Sequence, residues 1–110
     1  MLEETTIDLS QQLLAVIVLK EEKIEAVKEL IAKGADVHAR NSNACTPLHL
    51  AALAGHEGIA RILLDNGAYI HAEADKRMTP FHIAAAHGQI GIMKLLLTLD
   101  KTITHAQNSI

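Results

Sequence analysis

A pattern that returns every 33 residues constrains this chain more than any other feature. Thr46-Pro47-Leu48-His49 comes back as Thr79-Pro80-Phe81-His82, and the register holds behind it, pairing Ala51-Ala52 with Ala84-Ala85, Gly55 with Gly88, Ile59 with Ile92 and Leu63-Leu64 with Leu96-Leu97. One period upstream, Gly67-Ala68-Tyr69-Ile70-His71-Ala72 has a forerunner in Gly34-Ala35-Asp36-Val37-His38-Ala39. A unit of that size cannot bury its own apolar face, so tandem copies must stack for the chain to fold.

Each copy reads as a pair of helices. Thr46 and Thr79 stand at N-cap positions, where the hydroxyl accepts from a backbone N–H of the first turn, and Pro47 and Pro80 follow at the one helical position that needs no N–H. The small pairs Ala51-Ala52 and Ala84-Ala85 allow close helix approach. Ile59, Ile62 and Leu63, then Ile92, Leu95 and Leu96, keep the i, i+3, i+4 spacing of a buried stripe on the second helix. Each such side chain, fully buried, contributes about 1.5–3 kcal/mol. Gly34 and Gly67 fall just past the second helices, where a left-handed residue commonly ends a helix.

The period, the Thr-Pro-Leu-His motif and the helical pattern between them resemble the ankyrin repeat, a β-turn plus two helices. The resemblance covers roughly Ser10 to Ile110. It implies an all-α solenoid of about three stacked helix-turn-helix repeats joined by hairpin loops. The expected division is an N-terminal extension over 1–9, a capping repeat over 10–42, and repeats over 43–75 and 76–108. It also implies that His49 and His82 tie their helices to neighbouring backbone, as structural residues.

Several positions depart from the family pattern. In the first copy Leu13 and Leu14 replace Thr-Pro, Val16 replaces His, Val18-Leu19 replaces Ala-Ala and Glu22 replaces the inter-helix glycine. Ala44 and Arg77 occupy the glycine position two residues before each Thr, which puts the hairpin geometry in question. Gly58 and Gly91 stand where the family usually has Glu and read as tolerated near a helix start, at some cost in propensity. Asp100 replaces the third helix-ending glycine, ahead of Lys101-Thr102-Ile103-Thr104, so a ragged or extended end is expected there.

Propensity alone would make Ala15–Leu19 a strand, because of its branched residues. The repeat phase instead places it in a first helix capped by Ser10, apolar nearly all round and so needing burial on more than one side, against Ile7 and Leu9 or against another chain. The second helix of this copy is expected over about Lys23 to Lys33, with Ile24, Val27, Leu30 and Ile31 inward and a Glu29–Lys33 pair outward.

Function classes narrow quickly. At 110 residues with a formal charge of −3, the chain offers no basic field for a phosphate backbone, which argues against nucleic acid as a partner. One cysteine, Cys45, cannot form an internal disulfide and fits a reducing compartment, so the cytoplasm is expected. The apolar run Leu13–Leu19 follows acidic residues, lacks a cleavage site and is far short of the ~20 residues of a membrane span. Neither secretion nor membrane insertion is expected.

Seven histidines raise a metal question, but His38, His49, His71 and His82 recur by phase, and no pair has the i, i+4 spacing of a helical metal motif. Cys45 precedes His49 by four residues without an oxyanion loop or an orienting third group. No metal, no cofactor and no catalysis are expected.

The resemblance implies recognition of another protein through the concave side, built from hairpin tips and the exposed face of the first helices. Position by position this names Arg40, Ser42, Asn43, Cys45, Leu53 and Ala54 in the second copy, and Glu73, Asp75, Lys76, Met78, Ala86 and His87 in the third. Arg40 and Met78 are the side chains best suited to anchor a partner. The helix bearing Ile92, Leu95, Leu96 and Leu99 lacks an evident polar cap, which points to a longer array or to self-association through a terminal face. Homo-oligomerisation through the apolar termini is therefore the alternative function.

Overall fold

The structure is a computed structural model that describes residues 8–100. Six α-helices follow one another: α1 (Leu9–Ile17), α2 (Ile24–Ala32), α3 (Pro47–Ala54), α4 (Glu57–Asp65), α5 (Pro80–Ala86) and α6 (Ile90–Leu99), with a short 3₁₀ turn at Asp75–Arg77. There is no strand among the described residues. Successive helices pair as α1 with α2, α3 with α4 and α5 with α6. The pairs then stack, α1 on α3 on α5 in one layer and α2 on α4 on α6 in the other. This is the all-α solenoid of helix-turn-helix units that the 33-residue period requires.

The Thr-Pro motif starts its helices by a reciprocal cap. Thr46 Oγ1 accepts from the His49 N–H while His49 Nδ1 accepts from the Thr46 N–H at 3.0 Å, and Thr79 with His82 repeats the arrangement. Two otherwise unpaired donors are satisfied at each helix start. At the other end of the unit, Gly34 (φ 108°) and Gly67 (φ 93°) adopt the left-handed backbone, and the next residue donates back into the helix, Ala35 to the Leu30 carbonyl and Ala68 to that of Leu63.

The core runs along both layers. Leu13, Ile17, Val27, Leu48, Ala51, Ala52, Ile59, Ala60, Leu63 and Ala84 are fully excluded from solvent, and Ile92 and Leu96 nearly so. Ile59 with Leu63 and Ile92 with Leu96 are the expected stripes of α4 and α6. Ile62 and Leu95 lie half-buried at their margins.

The first copy departs from phase. Transposed back by one period, α3 would fall on 14–21, yet α1 spans Leu9–Ile17, more than a turn earlier at its start. Asp8, not Ser10, is its N-cap, with the carboxylate 3.4 Å from the Ser10 N–H. The expected cap hydroxyl is used elsewhere, since Ser10 Oγ accepts from the Asp36 N–H at 2.9 Å and so fastens α1 to the first hairpin. Without Thr-Pro to fix the start and without a left-handed glycine at Glu22 to fix the end, the helix slides toward the acidic residue that can cap it. Val18 and Leu19 consequently lie beyond the helix and are 52% and 46% exposed, rather than occupying the buried Ala-Ala position.

α2 matches expectation, with Val27 buried and Glu29 to Lys33 paired at 3.4 Å on the exposed face. At the third unit Asp100 is extended (φ −78°, ψ 98°) rather than left-handed, and its buried carboxylate accepts from His71 Nε2 at 3.2 Å. The expectations for Ile7, for Lys101–Thr104 and for His105 lie outside the described residues.

Candidate protein-binding surface

The hairpins between units are fingers held by side chains that fold back on their own backbone. In the first, Asn41 Oδ1 accepts from the N–H groups of Asn43 (2.9 Å) and Cys45 (3.0 Å), while the Asn41 N–H donates to the Cys45 carbonyl at 3.0 Å. Ala44 takes the left-handed backbone (φ 63°) that a glycine would adopt freely, and in the next finger Lys76 and Arg77 do the same (φ 63° and 61°). The finger geometry survives the missing glycines, at a cost of about 1–2 kcal/mol for each residue with a Cβ in that region.

Neighbouring fingers are zipped together. Arg40 Nη1 donates to the Ala44 carbonyl in its own finger and to the Glu73 carbonyl in the next, both at 2.7 Å, and the Asp75 N–H donates to the Asn43 carbonyl at 3.2 Å. Behind them, His49 Nε2 lies 2.7 Å from the Met78 carbonyl. Nδ1 of this ring is an acceptor, so the ring proton sits on Nε2 and donates to that carbonyl. Burial holds the His49 pKa below its usual 6.5, the Arg40 guanidinium pushes the same way, and the Met78 and Ala72 carbonyls oppose it. His49 is thereby a neutral strut joining the second unit to the third.

Two further ties run along the opposite edge, in the turns between paired helices. The buried His56 places Nε2 2.7 Å from the Leu19 carbonyl, and Gln89 Nε2 donates to the Leu53 carbonyl at 3.0 Å. Positions 56 and 89 are one period apart, so the register could have paired them in advance. No comparable signal marks Glu22, whose carboxylate accepts from the Ile59 N–H at 3.0 Å and caps α4 from the preceding unit.

On this frame the expected binding residues sit as follows. Arg40, Ser42 and Asn43 in one finger and Glu73, Asp75 and Lys76 in the next are exposed. Leu53 on α3 is 41% exposed, and Ala86 and His87 at the end of α5 face solvent. Met78, Ala54 and Cys45 are half-buried. The two anchors expected from sequence carry structural bonds as well, Arg40 through Nη1 and Met78 through its carbonyl. Nη2 and Nε of Arg40 make no hydrogen bond among the described residues, so part of the guanidinium still faces outward. His87 Nδ1 donates to the Ile83 carbonyl at 3.0 Å.

Cys45 is not an activated nucleophile. Burial, with the nearby Asp75 charge, pushes the Cys45 thiol above its usual pKa, against a smaller opposing effect of Arg40. Both nitrogens of His49 are already engaged, so the ring cannot serve as base to Cys45. No group of three or more His, Cys, Asp or Glu side chains among the described residues could hold a metal ion, and no described helix is long and apolar enough to cross a membrane.

Stacked helix pairs, left-handed fingers and Thr-Pro-Leu-His caps define a solenoid whose units present one continuous surface. The chain belongs to the ankyrin-repeat family: the family model for ankyrin repeats, in three copies, matches residues 14–107. Proteins of this family act in protein–protein interaction. Among curated proteins the chain is similar to protein phosphatase 1 regulatory subunit 27 of Mus musculus and of Homo sapiens, 47% identical to each over 41 residues. That segment is 37% of this chain, and the chain spans only about a quarter (27%) of the length of these relatives.

Proposed function

We propose that this chain is a non-catalytic protein-binding module that takes its partner on the concave side, across the fingers and the exposed faces of α3 and α5, with repeats at 10–42, 43–75 and 76–108. The observation that carries the reading is the zipping of adjacent fingers by Arg40 and by the Asn43–Asp75 bond. A surface ordered before contact loses less conformational freedom on binding, and so favours recognition without rearrangement. The exposed groups mix charges, Arg40 and Lys76 against Glu73 and Asp75, which suits a polar protein face better than a nucleic acid. No cofactor enters this reading, and the cytoplasm is the proposed location.

The partner does not follow from the relatives. The 41 matched residues amount to little more than one 33-residue period, and a single unit is mostly shared framework. The test is affinity capture from the native host with the wild-type chain and with a variant changed at Ser42, Leu53, Lys76 and His87, none of which carries a side-chain tie between units. One prey lost from the variant, with the thermal midpoint unchanged, supports the concave site; equal capture by both proteins contradicts it.

Self-assembly through the apolar terminal faces is the second reading, favoured by the 48% exposure of Leu97 on α6. Sedimentation over a range of concentrations decides it, since a species that stays monomeric throughout removes the oligomer.

A further inference from the structure

Arg40 is held at one end of its guanidinium and open at the other. Nη1 carries two protons and donates to two backbone carbonyls, Ala44 in its own finger and Glu73 in the next, each at 2.7 Å. An arginine presents five N–H donors in one rigid plane, so three remain, two on Nη2 and one on Nε. They form a side-on edge across the guanidinium carbon from Nη1. No described residue accepts from that edge, Arg40 makes no ion pair among the described residues, and the side chain is exposed.

The charge is therefore fixed in place but not neutralised. Its two acceptors are uncharged carbonyls, and the exposed carboxylates of the next finger, Glu73 and Asp75, lie beyond ion-pair distance from it. The arrangement does not repeat with the register, because Glu73 itself stands one period after Arg40. It is a property of this junction and not of the shared framework. A mobile surface cation gains little from a carboxylate, since the side-chain freedom lost offsets the contact formed; a bidentate pair on an arginine already held still is the exception.

We propose that Arg40, as part of the concave site proposed above, receives an aspartate or glutamate side chain of the partner protein on its Nε–Nη2 edge; the assignment rests on that site. Two parallel N–H groups match the two oxygens of a carboxylate, and the tie through Nη1 sets their direction before the partner arrives. A phosphoryl group fits the same fork, but its charge of about −1.5 to −2 is repelled by Glu73 and Asp75 more strongly than the single charge of a carboxylate.

The probe is a library of short random peptides, displayed on phage and selected on the full chain. Selected peptides are expected to share Asp or Glu at one position. Replacing that residue by Asn or Gln should weaken binding to the wild-type chain by about tenfold or more, the scale of a charge-assisted pair, and should change binding to Arg40→Gln little. Phosphoserine at the same position should bind less tightly than the carboxylate. Where Arg40→Gln loosens the fingers, seen as faster exchange of the Asp75 amide, the wild-type chain decides. Its Arg40 Nε–H resonance should shift with the acidic peptide and stay in place with the Asn or Gln counterpart. The variant changed at Ser42, Leu53, Lys76 and His87 separates the two readings. Peptides that bind it as tightly as wild type do not use the concave side, which contradicts the site and the receptor together. Peptides that lose affinity for it yet share no acidic residue, or leave the Nε–H resonance unmoved, overturn the receptor alone, and tighter binding of the phosphoserine peptide overturns the carboxylate.

Discussion

Ala44 shows at the scale of one residue how the fingers keep their shape. It holds a left-handed backbone (φ 63°) that glycine adopts without a Cβ clash. Ala44→Gly should therefore raise stability by about 0.5–1 kcal/mol, the relief being partly offset by the freer unfolded chain. Urea unfolding would show this as a higher midpoint at unchanged slope. His49 is the opposite case, a side chain committed at both nitrogens. His49→Ala keeps the Thr46 hydroxyl on the backbone N–H of residue 49 but takes away the ring acceptor for the Thr46 N–H and leaves the Met78 carbonyl without its strut, an expected loss of about 2–4 kcal/mol. The same ring predicts a pH dependence. Its folded pKa lies below 6.5, so between that pKa and 6.5 the unfolded chain binds a proton that the folded chain does not. The contribution of His49 is complete above pH 6.5 and is lost as the pH falls through the folded pKa. Urea midpoints measured from pH 8 to pH 5 should decline, and decline less steeply in His49→Ala; an equal decline in both would assign the effect to other groups.

At the scale of the helix, what sequence reveals is the local chemistry of starts and stops. Thr46-Pro47 and Thr79-Pro80 announce their helices because cap, proline and register agree, and Gly34 and Gly67 announce the ends. Of the strand-like run Ala15–Leu19, phase rightly places Ala15–Ile17 in a helix, but Val18 and Leu19 lie beyond its end. Its start follows neither phase nor the expected Ser10 cap: the cap is Asp8, and the Ser10 hydroxyl is drawn to Asp36 across the unit. Gly58 is the clearest illegible feature. Read locally it is a weak helix residue, but its Cβ would stand 2.9 Å from both Glu22 Oε2 and Ile24 Cδ1, atoms of the preceding unit. Sequence distance hides that neighbour. Gly58→Ala should thus miss the gain of about 1 kcal/mol that a helical Gly→Ala change usually brings. In a Glu22→Ala background, where the carboxylate no longer caps Ile59, the same change should stabilise more; strictly additive effects across the cycle would count against the contact.

For the whole molecule, stability resides in the interfaces between units. The concave surface was legible as a set of positions, since register assigns every finger residue its place. The ties of Arg40 and Glu22 were not, because each joins residues 33 or 37 positions apart through a side chain with no local signature. Position in the stack should govern mutational cost. Leu63→Ala, at a site with no exposure, is expected to cost about 2–5 kcal/mol. Leu97→Ala, at a site 48% exposed, should cost under about 1 kcal/mol, as measured by denaturant unfolding of the two variants. Similar losses at both sites would mean that the outer face of α6 is covered in solution.

Native-state amide exchange reads the central claim, that helix pairs lie side by side and each hides its neighbour's apolar flank, most directly. The account predicts the slowest exchange in α3 and α4, covered on both sides and opening only with global unfolding, and faster exchange in α6, which among the described residues is covered on one. Protection in α6 equal to or greater than that in α3 and α4, or three units that open independently, would contradict it.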